Sequence, residues 1–259
     1  MTDIAALERA SLSALPAPRH AWDGPFVIKA HLGGTGRANA CSSLDPAPDP
    51  GLAARIPRIE AIYHRLGLTS RFRSTPLDPP GLAEALLARG YALDKDDTIV
   101  HAGPLAPVAA ADRAVRDEAG PTEAWMSLIA TAEYQTPARR AEKLRNPELL
   151  AARGAWLVLR EDGVDAACLF AVADGAHCGI FDLATRPEYR RRGLGARLIR
   201  AAAHWAGGHG ATTLYAQVAS SNRASRALQE SLGLRAAYRY RYYTKPLERV
   251  SGGRARSDG

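Results

Sequence analysis

Long apolar runs are missing from this chain of 259 residues, and so is an apolar leader near residue 1. Nothing approaches the roughly 20 consecutive apolar residues that a membrane-spanning helix requires, so we expect no membrane association. Residues 1–20 carry acidic side chains early and no apolar block, so we expect no secretion signal and a cytoplasmic location.

Cysteine is scarce, with only Cys41, Cys168 and Cys178 present. Their odd number and their lack of metal-ligand spacing argue against a disulfide framework and against a zinc site, and we expect no bound metal. Cys168 and Cys178 lie in apolar, strand-like runs, which predicts small buried side chains.

The histidines show no paired spacing of the kind that binds a metal. We interpret the following as incidental: His64, His101, His177, His204 and His209.

Positive charge is in excess, with a formal net charge of +7, much of it at 186–200 and towards the C-terminus. A basic balance can indicate nucleic acid, an anionic membrane or an acidic small ligand. No stripe of interleaved aromatic and basic residues occurs, so we do not expect specific nucleic-acid binding. Residues 248–259 are predicted to be a disordered basic tail that adds charge without adding a site.

The length suits two domains, and 46% hydrophobic residues suffice for packed cores. An Ala- and Pro-rich stretch at 102–115 predicts the boundary region. We therefore predict an N-terminal lobe at 1–105 and a catalytic domain at 112–247.

Periodicity in the second half predicts helices, then three antiparallel strands, then alternating helices and strands. A "DG" pair at 162–163 is typical of a hairpin. The predicted helices are 121–134, 139–154, 191–210 and 221–233, and the predicted strands are 155–161, 165–174, 176–186, 212–219 and 236–245.

The first half is fainter but shows a related order of elements. "IYHRLGL" at 62–68 resembles "LQESLGL" at 228–234, which favours a degenerate copy of the same unit. "GGTG" at 33–36 is interpreted as a hairpin turn rather than a phosphate loop. The predicted strands are 25–33, 37–44, 72–77 and 92–105, and the predicted helices are 54–68 and 80–91.

The stretch "EYRRRGLGARLI" at 188–199 places arginines and glycines directly before an apolar helix. The first turn of a helix exposes unpaired N–H groups and the positive end of the helix dipole, and glycines let an anion approach the backbone. Arginines add attraction and bidentate contacts. The pattern predicts a pyrophosphate site, and the alternative is a solvated, arginine-rich helix start.

Arg190-x-x-Gly193-x-Gly195-Ala196, following "LATRPEY", resembles the acyl-CoA-binding motif of the GCN5-related N-acetyltransferases (GNAT). "LYAQVASSNRASRALQESLGL" resembles the later strand, Asn and helix of that family, so the resemblance covers about residues 113–245. It implies an α/β (α+β) fold with a mixed, mostly antiparallel sheet flanked by helices. With the faint first half, it implies two tandem GNAT-like lobes.

The resemblance also implies acetyl-CoA (coenzyme A) as cofactor and assigns residues to it. A bulge would separate the strand of Leu183, Ala184 and Thr185 from the next strand, and its backbone would pair with the pantetheine arm. Asn222 would contact the pantetheine or support the site, and Ser225 would face the cofactor. The pyrophosphate would be held by Arg190, Arg191, Arg192, Gly193, Leu194, Gly195 and Ala196.

Catalysis requires a neutral amine and a proton for the departing thiolate. The family's usual glutamate and tyrosine positions correspond to Gln217 and Gln229, and neither glutamine can transfer a proton. Candidate catalytic substitutes on the last strand are Tyr238 and Tyr240. Tyr242 lies on the same face of that strand as these two by the strand period, and Tyr243 lies on the opposite face. Further candidates are Asp182, on the strand before the motif, and Glu133 and Tyr134, in a predicted helix. Ordered water could also serve as the base.

The sequence thus predicts transfer of an acetyl group to a primary amine of a small molecule or peptide, directly within a ternary complex. The alternative is an acyl-CoA-binding protein of the same fold without transferase activity. A nucleic-acid module is supported by charge alone, and a homodimer stays open.

Overall fold

The chain forms one large, mostly antiparallel sheet flanked by helices. The computed structural model describes residues 3–132 and 135–247, so Glu133, Tyr134 and the predicted tail at 248–259 lie outside the described residues. The helices are α1 (Ile4–Ala14), α2 (Leu52–Arg65), α3 (Leu82–Ala88), α4 (Glu123–Ile129), α5 (Pro137–Leu149), α6 (Leu194–Gly207) and α7 (Arg223–Ser231). The strands are β1 (Arg19–Asp23), β2 (Phe26–Ala30), β3 (Cys41–Ser43), β4 (Ser70–Ser74), β5 (Ala92–Leu93), β6 (Thr98–Pro104), β7 (Val115–Glu118), β8 (Arg153–Glu161), β9 (Val164–Asp174), β10 (His177–Thr185), β11 (Thr213–Ala219) and β12 (Arg235–Lys245).

The strand order is β1-β2-β3-β4-β12-β6-β11-β10-β9-β8-β7, with β5 beside β12. Only β3 with β4 and β10 with β11 run parallel among the described pairs. The predicted fold class, a mixed and mostly antiparallel sheet flanked by helices, is therefore confirmed.

One long strand joins the two halves of the sheet. The stretch of β12 from Arg235 to Tyr240 pairs with β6, and the stretch from Arg241 to Lys245 pairs with β4. β6 falls within the predicted lobe 1–105, yet it lies between β11 and β12. The two ranges therefore interlock where they meet, and their division into separate lobes stays a prediction.

Most predicted elements of both halves are present, and the "DG" hairpin joins β8 to β9. Three elements were not predicted: α1, β1 and β7. The helix predicted over 139–154 was too long at its C-terminal end. The structure ends it at Leu149, because β8 already pairs with β9 from Arg153 onward.

Apolar side chains bury both faces of the central strands. In β9, Ala167, Leu169 and Ala171 pack in the cluster under α6, whereas Phe170 and Val172 pack in the cluster under α1 and α4. This alternation follows from the two-residue period of a strand. A third cluster holds α2 and α3 against the sheet of the first half.

The three cysteines are free and buried, as the sequence predicts for Cys168 and Cys178. Burial raises the pKa of the Cys178 thiol to about 12. Within the described part of the chain, no helix combines the length and the apolar character needed to cross a bilayer.

Candidate active site

A bulge in β10 opens the sheet next to the predicted motif. β10 pairs with β11 only from His177 to Ile180, and its register against β9 shifts between Phe181 and Ala184. Asp182, inside the bulge, has a left-handed backbone with φ of 52°. A bulge bends a strand and increases its twist. The bulge therefore leaves the β11-facing edge of Leu183–Thr185 outside the described strand pairing.

The predicted motif forms the start of α6 beside this opening. Gly193 is the N-cap residue with φ of 79°, and Arg191 before it also has a positive φ of 65°. A Cβ at Gly193 would meet no heavy atom within 4 Å, so the space beyond this residue is open. A Cβ at Gly195 would lie 3.1 Å from Leu228 Cδ2, which explains a glycine where α6 approaches α7.

A cleft of about 650 Å³ lies over this helix start. All the predicted cofactor residues except Arg192 line this cleft, and Tyr189 and Leu228 line it as well. The Arg192 side chain turns away to Asp162, with 3.0 Å between Nη1 and Oδ2, and its guanidinium lies 4.9 Å from the Tyr189 ring centroid. The guanidinium of Arg190 donates to the Thr185 and Thr131 carbonyls. The cleft therefore retains the backbone amides, Arg191 and the remaining donors of Arg190 as anion-binding groups.

A second cavity of about 290 Å³ continues the cleft into the gap between β10 and β11. Leu183, Asn222 and Ser225 line both spaces, so they form the passage between them. The polar side chains of the inner cavity are those of Arg37, Asp182, Gln217, Asn222, Ser225 and Gln229.

A hydrogen-bonded chain of three side chains ends at Ser225. His101 Nδ1 lies 2.6 Å from Gln229 Oε1, and Gln229 Nε2 donates to Ser225 Oγ at 3.2 Å. Because an amide oxygen only accepts, His101 Nδ1 carries the hydrogen of the first bond. The Ser225 hydroxyl accepts from Gln229 and keeps its own hydrogen for the cavity. His101, interpreted as incidental from the sequence, is thus buried behind the site.

Asp182 lies at the other side of the inner cavity. Its carboxylate accepts from Lys143 Nζ at 2.6 Å, and both side chains are less than one tenth exposed. The ion pair joins the bulge of β10 to α5.

The structure directs the hydroxyl groups of Tyr238 and Tyr240 to other partners and does not bring them to the lining of either space. The Tyr238 hydroxyl donates to the buried Glu8, which also binds Arg73. Burial, followed by the Glu8 carboxylate, raises the pKa of Tyr238 above its usual value. The Tyr240 hydroxyl donates to Gln217 Oε1 at 2.9 Å, so Tyr240 reaches the cavity only through Gln217.

The "GGTG" turn brings the first half to the inner cavity. As predicted, it lies in a hairpin, because β2 and β3 pair antiparallel on either side. Backbone N–H groups of Leu32, Gly34 and Thr35 donate to the buried Glu142 carboxylate of α5. A Cβ at Gly34 would lie 2.5 Å from the Arg139 backbone nitrogen, so glycine permits this close contact.

This contact between the loop and α5 places Arg37 in the wall of the inner cavity. Its guanidinium lies 5.4 Å from the Phe181 ring centroid, directly before the bulge. No local pattern in the sequence marks Arg37 or His101 as a site residue, because the loop and β6 reach the cavity through long-range packing. Across residues 3–132 and 135–247, no group of three metal-ligating side chains gathers.

Comparisons with known proteins find a matching family and a curated relative. The family model described as "Probable histone acetyltransferase Rv0428c C-terminal" matches residues 1–243. A Bacillus subtilis (strain 168) protein, described as the uncharacterized N-acetyltransferase YobR, is 24% identical over 252 residues, which is 95% of this chain and 100% of that protein.

Solved structures share the fold. A GCN5-related N-acetyltransferase from Kribbella flavida superposes with a TM-score of 0.71 at 20% identity, over 96% of this chain and 98% of that one. A tandem GNAT protein from the clavulanic acid biosynthesis pathway gives a TM-score of 0.61 at 14% identity, over 92% and 87% of the two chains. The chain therefore belongs to the Rv0428c C-terminal family and is an acyltransferase of the GNAT superfamily, as the resemblance in its sequence implied.

Proposed function

We propose that the chain transfers an acetyl group from acetyl-CoA to a primary amine, directly within a ternary complex. The observation that carries this proposal is the joining of two spaces. An open helix start suited to a pyrophosphate leads through Leu183, Asn222 and Ser225 into a polar cavity in the split sheet. Such a cavity can hold both reactants side by side, which removes much of the entropic barrier of a two-molecule reaction.

The residues present fit coenzyme A. Open space above Gly193, successive N–H groups from Arg191 to Ala196, and the absence of an acidic residue from the first turn of α6 suit a diphosphate. The free edge of Leu183–Thr185 can accept and donate hydrogen bonds to the amides of a pantetheine arm. When bound, acetyl-CoA supplies a thioester that an amine can attack.

Two side chains in the inner cavity can donate and accept the protons that the reaction moves. Ser225, whose oxygen already accepts from Gln229, can donate its hydrogen to the departing sulfur. Asp182 can accept the proton of the amine through water and pass it through water to the Ser225 oxygen, so that both side chains return to their starting protonation states. In this proposal Tyr238 and Tyr240 support the site rather than donate protons, because their hydroxyls bind Glu8 and Gln217.

A two-part assay tests the function. Calorimetric titration with acetyl-CoA measures cofactor binding, and release of free thiol in the presence of an amine panel measures transfer. Ser225→Ala should lower kcat by roughly 100-fold if its hydroxyl is the acid. The matched control is Ser231→Ala on the same helix, whose hydroxyl donates to the Leu228 carbonyl, and it should leave kcat unchanged.

The same assay decides the alternative of a binding protein without transferase activity. Gln217 and Gln229, at the positions where the family usually has proton-transferring residues, favour that alternative. Acetyl-CoA binding without thiol release for any amine would support it and overturn acetyl transfer. Failure to bind acetyl-CoA would overturn both.

A further inference from the structure

We propose that the acceptor is a small amine that also carries a carboxylate, and that Arg37 binds this carboxylate. The inference rests on the proposed acetyl transfer and names the chemical class of its second substrate. It starts from a cation in the wall of the inner cavity that the protein itself leaves without a counter-ion.

The Arg37 side chain is half-buried and makes no hydrogen bond or ion pair with any residue of 3–132 or 135–247. Its guanidinium is held only over the Phe181 ring, an arrangement that fixes the group while leaving its N–H edges available. A guanidinium presents a rigid fork of donors that matches a carboxylate. An unpaired fork in a cavity wall therefore points to an anionic ligand.

The charges around Arg37 do not supply that anion. Asp182 is paired with Lys143, and the Glu142 carboxylate is surrounded by N–H groups of its own loop contact. Glu8 is paired with Arg73. These three carboxylates are thus already bound, and none of them forms an ion pair with Arg37.

The charge of Arg37 also acts on Lys29, a buried residue of β2. Lys29 donates to the Leu12 and Leu15 carbonyls. Burial, and then the charges of Arg73 and Arg37, lower its pKa to about 7. An anionic acceptor would relieve this repulsion, whereas a lysine-rich peptide would add to it.

The size of the cavity favours a small acceptor. Its volume of about 290 Å³ lies just below the range for small-molecule sites, roughly 300–1,000 Å³. Arg37 lines this cavity together with Ser225 and Asp182, the groups assigned above to proton transfer. Binding of the carboxylate by Arg37 would therefore fix the amine within the same small space.

The test uses pairs of amines that differ only in charge: glycine and glycinamide, leucine and leucinamide, β-alanine and its amide. We expect the wild-type protein to acetylate the acid of at least one pair. Arg37→Gln should lower kcat/KM for that acid by roughly 10- to 100-fold, the range for a lost hydrogen bond to a charged group, and for the amide by less than about threefold. Because each variant is compared on the same pair, differences in amine basicity cancel.

Two further variants keep the result specific. Arg37→Lys retains the charge and should restore part of the activity on the acid. Arg71→Gln removes another arginine, one that lies over the Tyr242 ring and donates to the Asn39 carbonyl, and it should leave the preference unchanged.

Several outcomes would overturn the assignment. They are faster transfer to the amides or to cationic peptides, an equal loss on both members of a pair in Arg37→Gln, or no transfer to any acid. The first two outcomes leave acetyl transfer intact. In the third, thiol release with any other amine of the panel leaves acetyl transfer intact, whereas its absence for every amine overturns acetyl transfer as well.

Discussion

Paired substitutions at Gly193 separate the charge of the anion site from its shape. Aspartate and asparagine have nearly the same size, and a Cβ at Gly193 would meet no heavy atom within 4 Å, so both side chains fit. The backbone there has φ of 79°, and a left-handed conformation costs a non-glycine residue about 1–2 kcal/mol. We expect the free energy of unfolding to fall by this similar, small amount in both variants.

Affinity for acetyl-CoA should differ sharply between the two. A carboxylate about 5 Å from one phosphate charge, at an effective dielectric constant of about 20, is repelled by about 3 kcal/mol. This repulsion corresponds to roughly a 100-fold loss of affinity in Gly193→Asp relative to Gly193→Asn. The added side chain would itself occupy part of the open space, so the asparagine variant should also bind more weakly than the wild type.

Isothermal titration of each variant with acetyl-CoA measures the difference, and thermal unfolding with and without acetyl-CoA gives an independent check, since a ligand of the folded state raises the unfolding temperature. Equal dissociation constants for the aspartate and asparagine variants would refute the reasoning. No phosphate would then lie above the start of α6, and the cofactor site would have to be sought elsewhere.

Four further predictions concern individual side chains. The pKa of Lys29 falls from 10.5 when unfolded to about 7 in the fold, so the unfolded chain binds more protons between these values. The free energy of unfolding should therefore rise with pH from about 7, by up to about 1.4 kcal/mol per unit, and urea unfolding of Lys29→Met should lack this rise. Tyr238→Phe should lower stability by about 1–2 kcal/mol with little change in kcat, whereas a collapse of kcat would restore Tyr238 as the acid. In the same urea titration, Glu8→Gln should lower the free energy of unfolding by about 3–5 kcal/mol, because the substitution leaves Arg73 as an unpaired buried charge. Arg192→Ala should change acetyl-CoA affinity by less than about threefold, because its exposed guanidinium faces Asp162, and a loss of tenfold or more would place it on the cofactor.

The sequence was most informative where a pattern is local. The "DG" pair, the apolar period of α6 and the glycines at its start predicted β8 with β9 and the helix that carries the motif. These features act over a few residues, through turn geometry and helix capping, so the residues themselves contain the information.

The acceptor side could not be predicted in the same way. Arg37 reaches the cavity because Glu142, more than a hundred residues later, binds the backbone of its loop, and His101 reaches Ser225 because β6 pairs between β11 and β12. Neither placement produces a periodic pattern in the sequence from which it could be predicted. A glutamine side chain cannot transfer a proton, which the residue type alone establishes for Gln217 and Gln229, but their hydrogen-bonding partners are visible only in the fold.

The shared strand β12 bears on how the chain assembles during synthesis. Its partners β4, β5 and β6 all leave the ribosome much earlier, yet each must wait for residues 235–245 to complete its pairing. Neither half can reach its final sheet co-translationally. Nascent chains stalled before residue 235 should consequently remain sensitive to protease in both halves, and the released full-length chain should be protected in both at once.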